Sequence, residues 1–127
     1  MLDEINLIGT TTTAGDATIT ATRSVLGKLY AVTWIDGTLA DGVDGTLSVT
    51  SRPESAPDLT LLTLTDANDD AEYMPREPVH DNTGTALTYN STEGVTDMRV
   101  INGTLKLVIA SGGDTKIGGM LVYIEKM

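Results

Sequence analysis

Apolar and polar residues alternate along much of this 127-residue chain. A period of two marks a β-strand with one buried face. Ala17-Thr18-Ile19-Thr20-Ala21-Thr22 sets Ala and Ile against three threonines, and Thr46-Leu47-Ser48-Val49-Thr50 repeats the pattern. Lys28-Leu29-Tyr30-Ala31-Val32-Thr33-Trp34-Ile35 is apolar at both parities, which predicts a central strand covered on both sides, with Tyr30 and Trp34 sharing a face. In Leu59-Thr60-Leu61-Leu62-Thr63-Leu64-Thr65 the apolar phase changes midway, which predicts a bulge or a strand that switches sheets. Shorter strands are expected at 86–89 and 98–101.

Turn chemistry separates these runs. Asp36-Gly37-Thr38, Asp44-Gly45-Thr46, Thr83-Gly84-Thr85 and Asn102-Gly103-Thr104 can each close a tight turn. Their flanks do not repeat at a fixed period, so a solenoid is not expected. Segments 36–45 and 51–58 read as loops, and 66–82, with Pro75 and Pro78, is the least regular stretch. A helical turn is conceivable there only near 69–73. Leu105-Lys106-Leu107-Val108-Ile109-Ala110 and Met120-Leu121-Val122-Tyr123-Ile124, joined by a glycine-rich segment, read as a hairpin. The expectation is one all-β domain over residues 1–127, an antiparallel β-sandwich or jelly-roll-like barrel of about eight strands. Residues 1–13 would form a first strand or a docking arm.

Composition narrows the function. No cysteine is present, which excludes disulfides and thiolate metal sites. The net charge of −10, from 18 acidic and 8 scattered basic residues, argues against nucleic acid and anionic membranes as partners. Met1-Leu2-Asp3-Glu4-Ile5-Asn6 is acidic where a secretory signal would be basic, so cytoplasmic synthesis is expected. The sequons at Asn90 and Asn102 then carry no weight.

Candidate chemistry is sparse. The single histidine, His80, precedes Asp81, but neighbours on an extended chain point to opposite sides and make a poor dyad. Asp66, Asn68 and Asp70 alternate as at the start of a calcium loop, and Glu77 falls at the closing position. Ala71 stands where that loop needs glycine and Pro75 interrupts it, so the reading is a turn-rich loop, with these four residues as the metal candidates. Asp36, Asp41 and Asp44 read as turn chemistry. Paired carboxylates could serve a glycosidase, but such pairs arise easily by chance in an acidic chain, and one Trp with four Tyr gives few sugar platforms. Gly112-Gly113 and Gly118-Gly119 around Lys116 lack phosphate-loop spacing. No catalytic residue and no cofactor is expected.

The segments Gly27-Lys28-Leu29-Tyr30-Ala31-Val32-Thr33-Trp34-Ile35-Asp36-Gly37-Thr38 and Leu107-Val108-Ile109-Ala110-Ser111-Gly112-Gly113-Asp114-Thr115-Lys116-Ile117-Gly118-Gly119 resemble strand-turn segments of small accessory structural proteins of tailed-bacteriophage virions. The whole chain, cysteine-free, acidic and rich in Thr and Gly, is similar to them in style. The resemblance implies a non-enzymatic capsid decoration (cement) protein, or a head–tail neck or tail component. It would assemble as a homo-oligomer on the major capsid protein or other virion proteins. Expected contact elements are 2–13, 71–80 and 123–127, with Leu2, Ile5, Leu7, Tyr73, Met74, Tyr123 and Met127 as interface candidates; Tyr89 joins them as an edge aromatic. A competing class, a carbohydrate- or receptor-binding sandwich of a tail or adhesion device, predicts exposed Tyr or Trp beside convergent acids.

Overall fold

A computed structural model describes residues 2–50, 58–88, 90 and 92–127. The fold is all-β and antiparallel, and no helix occurs among the described residues. The strands are β1 (Leu2–Thr10), β2 (Ala17–Thr20), β3 (Val25–Ile35), β4 (Asp44–Thr50), β5 (Leu59–Leu64), β6 (Ala71–Tyr73), β7 (Glu77–Pro78), β8 (Thr96–Asp97), β9 (Val100–Ala110) and β10 (Ile117–Lys126).

Eight of them share one continuous hydrogen-bonded sheet in the order β1-β10-β3-β9-β4-β5, with β2 added on β9 and β6 on β3. The sheet folds over into a β-sandwich-like pair of layers. The first layer holds β1, β10, β3 and β6, and the second holds β2, β9, β4 and β5. The fold-over lies in β9. Its first residues pair with Val25–Lys28 of β3, and from Thr104 onward it pairs with β4. Gly103 stands at that change of partner with φ 155°, and a Cβ there would lie 2.0 Å from the Thr50 carbonyl oxygen. Only glycine passes this corner without displacing backbone.

Between the layers lies the core that the alternation specified. Ile5 and Leu7 of β1, Leu29, Val32 and Trp34 of β3, Leu47 and Val49 of β4, Ile101, Leu105, Leu107 and Ile109 of β9, and Met120, Val122 and Ile124 of β10 are all buried. Each large aliphatic buried this way contributes roughly 1.5–3 kcal/mol. Trp34 is the largest fully buried side chain, and its indole Nε1 donates to the Ala67 carbonyl at 2.9 Å. Gly45 makes room for the ring: a Cβ there would approach Cζ3 to 2.9 Å.

Two bulges reset the alternation. In β5 the register slips opposite Leu47 and Ser48, leaving Leu61 as the extra residue, so both Leu61 and Leu64 turn inward. This is the phase change visible in the sequence. In β3, Tyr123 pairs with Ala31 but Ile124 pairs with Leu29, so Tyr30 is extra. The expectation that Tyr30 and Trp34 share a face is corrected by this bulge: Trp34 points inward and Tyr30 is 39% exposed on the outside. The run 28–35 is therefore apolar at both parities because it changes phase, and among the described residues no second layer covers its outer side.

Other expectations also change. Residues 105–110 and 120–124 do not form a hairpin. β9 pairs with β4 and β2, whereas β10 lies between β1 and β3. The connection crosses between layers and is pinned to the turn after β1, with Gly112 N–H donating to the Gly15 carbonyl at 2.8 Å and Thr11 Oγ1 to the Gly113 carbonyl at 2.6 Å. The stretch proposed as a helical turn is β6, paired through Tyr73 with Val32 of β3. The N-terminal segment is an integral strand, in register with β10 from Leu2–Glu125 to Thr10–Ile117. The loop at 51–58 lies outside the described residues except for Asp58, as does Tyr89.

Between Met74 and Arg99 the described residues form a largely exposed excursion. Three short segments bond in a ring: Val79 N–H to Val95, Leu87 N–H to Val79, and Val95 N–H to Leu87. Of the strand expected at 86–89, the described residues 86–88 form only isolated bridges, His80–Ala86 and Thr88–Gly94. No described residue between 68 and 100 belongs to the fully buried core.

Candidate functional site

The β3 bulge has a consequence on the outer face of the first layer. Tyr30 stands beside Tyr123 of β10 and Leu2 of β1, and together with Ala31, Thr33 and Glu72 they line a shallow groove of about 210 Å³. Pairing fixes its composition. Glu4 is directly opposite Tyr123, Tyr123 is opposite Ala31, and Thr33 is opposite Glu72. Leu2 is 47% exposed. Arg76 holds the bulge from behind by donating to the carbonyl oxygens of Tyr30, at 3.0 Å, and Pro75, at 2.9 Å.

The groove's electrostatics are one-sided. Desolvation pushes the Tyr123 phenol above its ordinary value; the charge of Glu4, its hydrogen bond and the charge of Glu72 push the same way, while a hydrogen bond from Thr33 opposes them. Among the lining side chains there is no Lys, Arg, Asn or Gln. The groove offers aromatic surface, a carboxylate and the hydroxyls of Tyr30, Thr33 and Tyr123, and no cationic group.

A second opening, about 170 Å³, separates β1 from β2 and is lined by Glu4, Ile5, Asn6, Thr20, Ala21, Thr22 and Arg23. The two strands are neighbours in sequence but belong to different layers. Side chains shield this seam: Arg23 Nη2 meets Asp3 Oδ2 at 2.5 Å, and Asn6 Oδ1 accepts from the Ile8 N–H at 2.9 Å. The Arg23 hydrogen bond, more than its charge, holds the Asp3 carboxyl below its ordinary value.

The calcium candidates do not assemble. Asn68 Oδ1 accepts from the Gly42 N–H and Asp70 Oδ1 from the Asp36 N–H, both at 2.7 Å, so these oxygens fasten one loop to another. Asp66 has φ 52° and its N–H donates to Asp44 Oδ1 at 3.1 Å. Glu77 sits in β7, where its carboxylate lies 3.6 Å from Arg99 Nη1. Among the described residues no three His, Cys, Asp or Glu side chains are grouped to hold a metal. The loops do place Asp36 near Asp70, Asp41 and Asp69. Desolvation, then these three charges in that order, raises the Asp36 carboxyl above its ordinary value, and its Oδ1 is buried without a hydrogen-bond partner.

His80 is exposed. Asp81 is committed to its own turn: Oδ1 accepts from Thr83 Oγ1 at 2.8 Å and from the Thr83 and Thr85 amides at 2.9 and 3.0 Å. The Thr83 hydroxyl is the main cause of its lowered carboxyl pKa. Lys116 closes a structural turn, its N–H donating to Thr11 Oγ1 at 2.8 Å.

Of the interface candidates, Leu2 and Tyr123 come together at the groove. Met74 and Met127 are exposed elsewhere, and Tyr73 is half-buried against the core. Ile5 and Leu7 are corrected: the inward parity of β1 puts both in the core, where no partner reaches them. The residues missed by sequence are Tyr30, Ala31, Thr33 and Glu72. A phase change within 28–35 was the available signal for Tyr30, but nothing in the sequence paired β6 with β3.

Comparison with protein-family models, curated proteins and solved structures finds no match. The fold and groove define a class only, an antiparallel β-sandwich-like domain with one aromatic, acid-flanked outer face.

Proposed function

We propose that this chain is a non-enzymatic structural protein of a tailed-phage virion, a decoration protein that docks on capsid subunits through the outer face of its first layer. The carrying observation is the groove face itself. Leu2, Tyr30 and Tyr123 are exposed or half-buried side by side, with Ala31 between them. Aromatic residues are enriched at protein interfaces. Covering such a face contributes roughly 25 cal/mol per Å² before the costs of association. Repetition over a symmetric shell multiplies a modest contact. Asp81, Asn68 and Asp70 hold loops and turns together, which agrees with a structural role.

Quantitative mass spectrometry of purified particles tests this reading. A copy number matching the capsid lattice is expected. A copy number matching the neck would move the protein to the head–tail junction, and absence from particles would overturn the proposal. A second reading, a carbohydrate- or receptor-binding module, is favoured by the same Tyr30–Tyr123 pair beside Glu72. A glycan array probes it directly.

A further inference from the structure

We propose that the Tyr30–Tyr123 groove receives one cationic side chain, arginine or lysine, from the protein on which this domain docks. The inference rests on the docking reading and adds the chemistry of the contact. Three observations carry it.

The first is the charge of the lining. Glu72 supplies a carboxylate, which only accepts. Glu4, directly opposite Tyr123 on β1, adds a second carboxylate beside the groove. The Tyr30, Thr33 and Tyr123 hydroxyls can donate as well as accept, so what singles out a cation is charge: the lining holds an acid and no Lys or Arg. A guanidinium or ammonium brings the charge that this lining complements. The second is the aromatic wall. Two tyrosines from different strands meet because the bulge turns Tyr30 outward. Cations bind the faces of such rings, and the exposed Leu2 offers apolar surface to the aliphatic stem of the incoming side chain. The third is size and charge. At about 210 Å³ the groove is smaller than the roughly 300–1,000 Å³ of pockets that hold drug-sized ligands. A second copy of this chain is a poor source of the cation. The chain carries −10, so a second copy would bring more negative charge towards Glu72 and Glu4 than positive. A basic segment of another protein fits the charge.

The test uses the whole protein and amide NMR, titrated with N-acetyl-arginine amide, N-acetyl-lysine amide, the neutral isostere N-acetyl-citrulline amide and methyl glucoside. Arginine or lysine amide should shift Tyr30, Ala31, Thr33, Glu72 and Tyr123 in a saturable way that weakens with salt. Glu72→Gln, at a surface position on β6, should weaken this binding about tenfold while the melting temperature stays unchanged. Tyr123→Leu should weaken it as well. Equal binding of citrulline amide, methyl glucoside binding in place of the cations, or no saturable shift with either cation would each overturn the inference. If the cations fail but the protein still sediments with particles, docking stands and only the cation contact falls. If the cations bind but particles do not, the docking reading falls alone.

Discussion

The two outer faces of this sandwich-like domain are built on the same antiparallel backbone and carry opposite chemistry. Across the second layer, pairing sets Thr18, Val108, Thr46 and Thr63 side by side. Lys106, one step along β9, is tied to Asp58. Hydroxyls of this kind suit a wet sheet surface, and the single apolar member, Val108, is isolated at 38% exposure. Across the first layer the corresponding outward positions bring Leu2, Tyr123, Tyr30 and Ala31 together, with Glu4 and Glu72 beside them. Isolated exposed apolar residues are ordinary, but contiguous ones mark contact surfaces. The difference rests on one inserted residue. Without the bulge at Tyr30, a strict alternation from Trp34 would turn that tyrosine inward.

The comparison holds only if both faces stand on one shared core, and the largest expected effect tests that. Trp34→Ala should cost about 3–5 kcal/mol in denaturant unfolding, because it empties the space between the layers and leaves the Ala67 carbonyl without its donor. Hydrogen exchange should then show β3 and β4 losing protection together; loss in one layer alone would make the layers separate units.

Gly103→Ala comes next, at about 1–3 kcal/mol. It forces a side chain against the Thr50 carbonyl at the point where β9 changes layers. An unchanged unfolding midpoint would show that the two faces are not held in register there.

The smallest effect concerns the loops at one end of the layers. The folded pKa of Asp36 is raised, so its ionised form is disfavoured in the native state. Stability from this group is fully present below the unfolded value. It declines as pH rises through the ordinary carboxylate range to the raised folded value. Asp3, Asp58 and Asp81 act in the opposite sense: their lowered values give stability above the ordinary range that is lost as pH falls through the folded values. Asp36→Asn should therefore raise the melting temperature at neutral pH and change it little in acid. A difference that does not vary with pH would remove the titration of Asp36 from this account.

The sequence showed the layers better than it showed the face. Alternation in 17–22 and 46–50, and the phase change in 59–65, located three strands and one bulge, because period two is written locally. The hairpin assigned to 105–124 failed because adjacency in sequence says nothing of layer: a glycine-rich connection long enough to turn is also long enough to cross. Tyr30 was misplaced because a doubly apolar run has two explanations, full cover or a slip of phase, and only pairing with β10 separates them. Glu72 was invisible because it reaches the groove through three residues of β6, whose place on β3 is fixed by long-range pairing. The calcium-like spacing of Asp66, Asn68 and Asp70 was real, but Asn68 and Asp70 give their oxygens to backbone amides of the loop beside them.

A matched pair of substitutions puts the two faces against each other. Leu2→Asp and Val108→Asp each place a charge at an exposed apolar position, one on each face. Sedimentation of the two variants with empty capsids of the cognate particle, after circular dichroism has confirmed the β fold of both, measures which face docks. Leu2→Asp should abolish co-sedimentation and Val108→Asp should leave it at the wild-type level. Binding retained by Leu2→Asp, or lost with Val108→Asp, would contradict the assignment of the aromatic face as the docking surface.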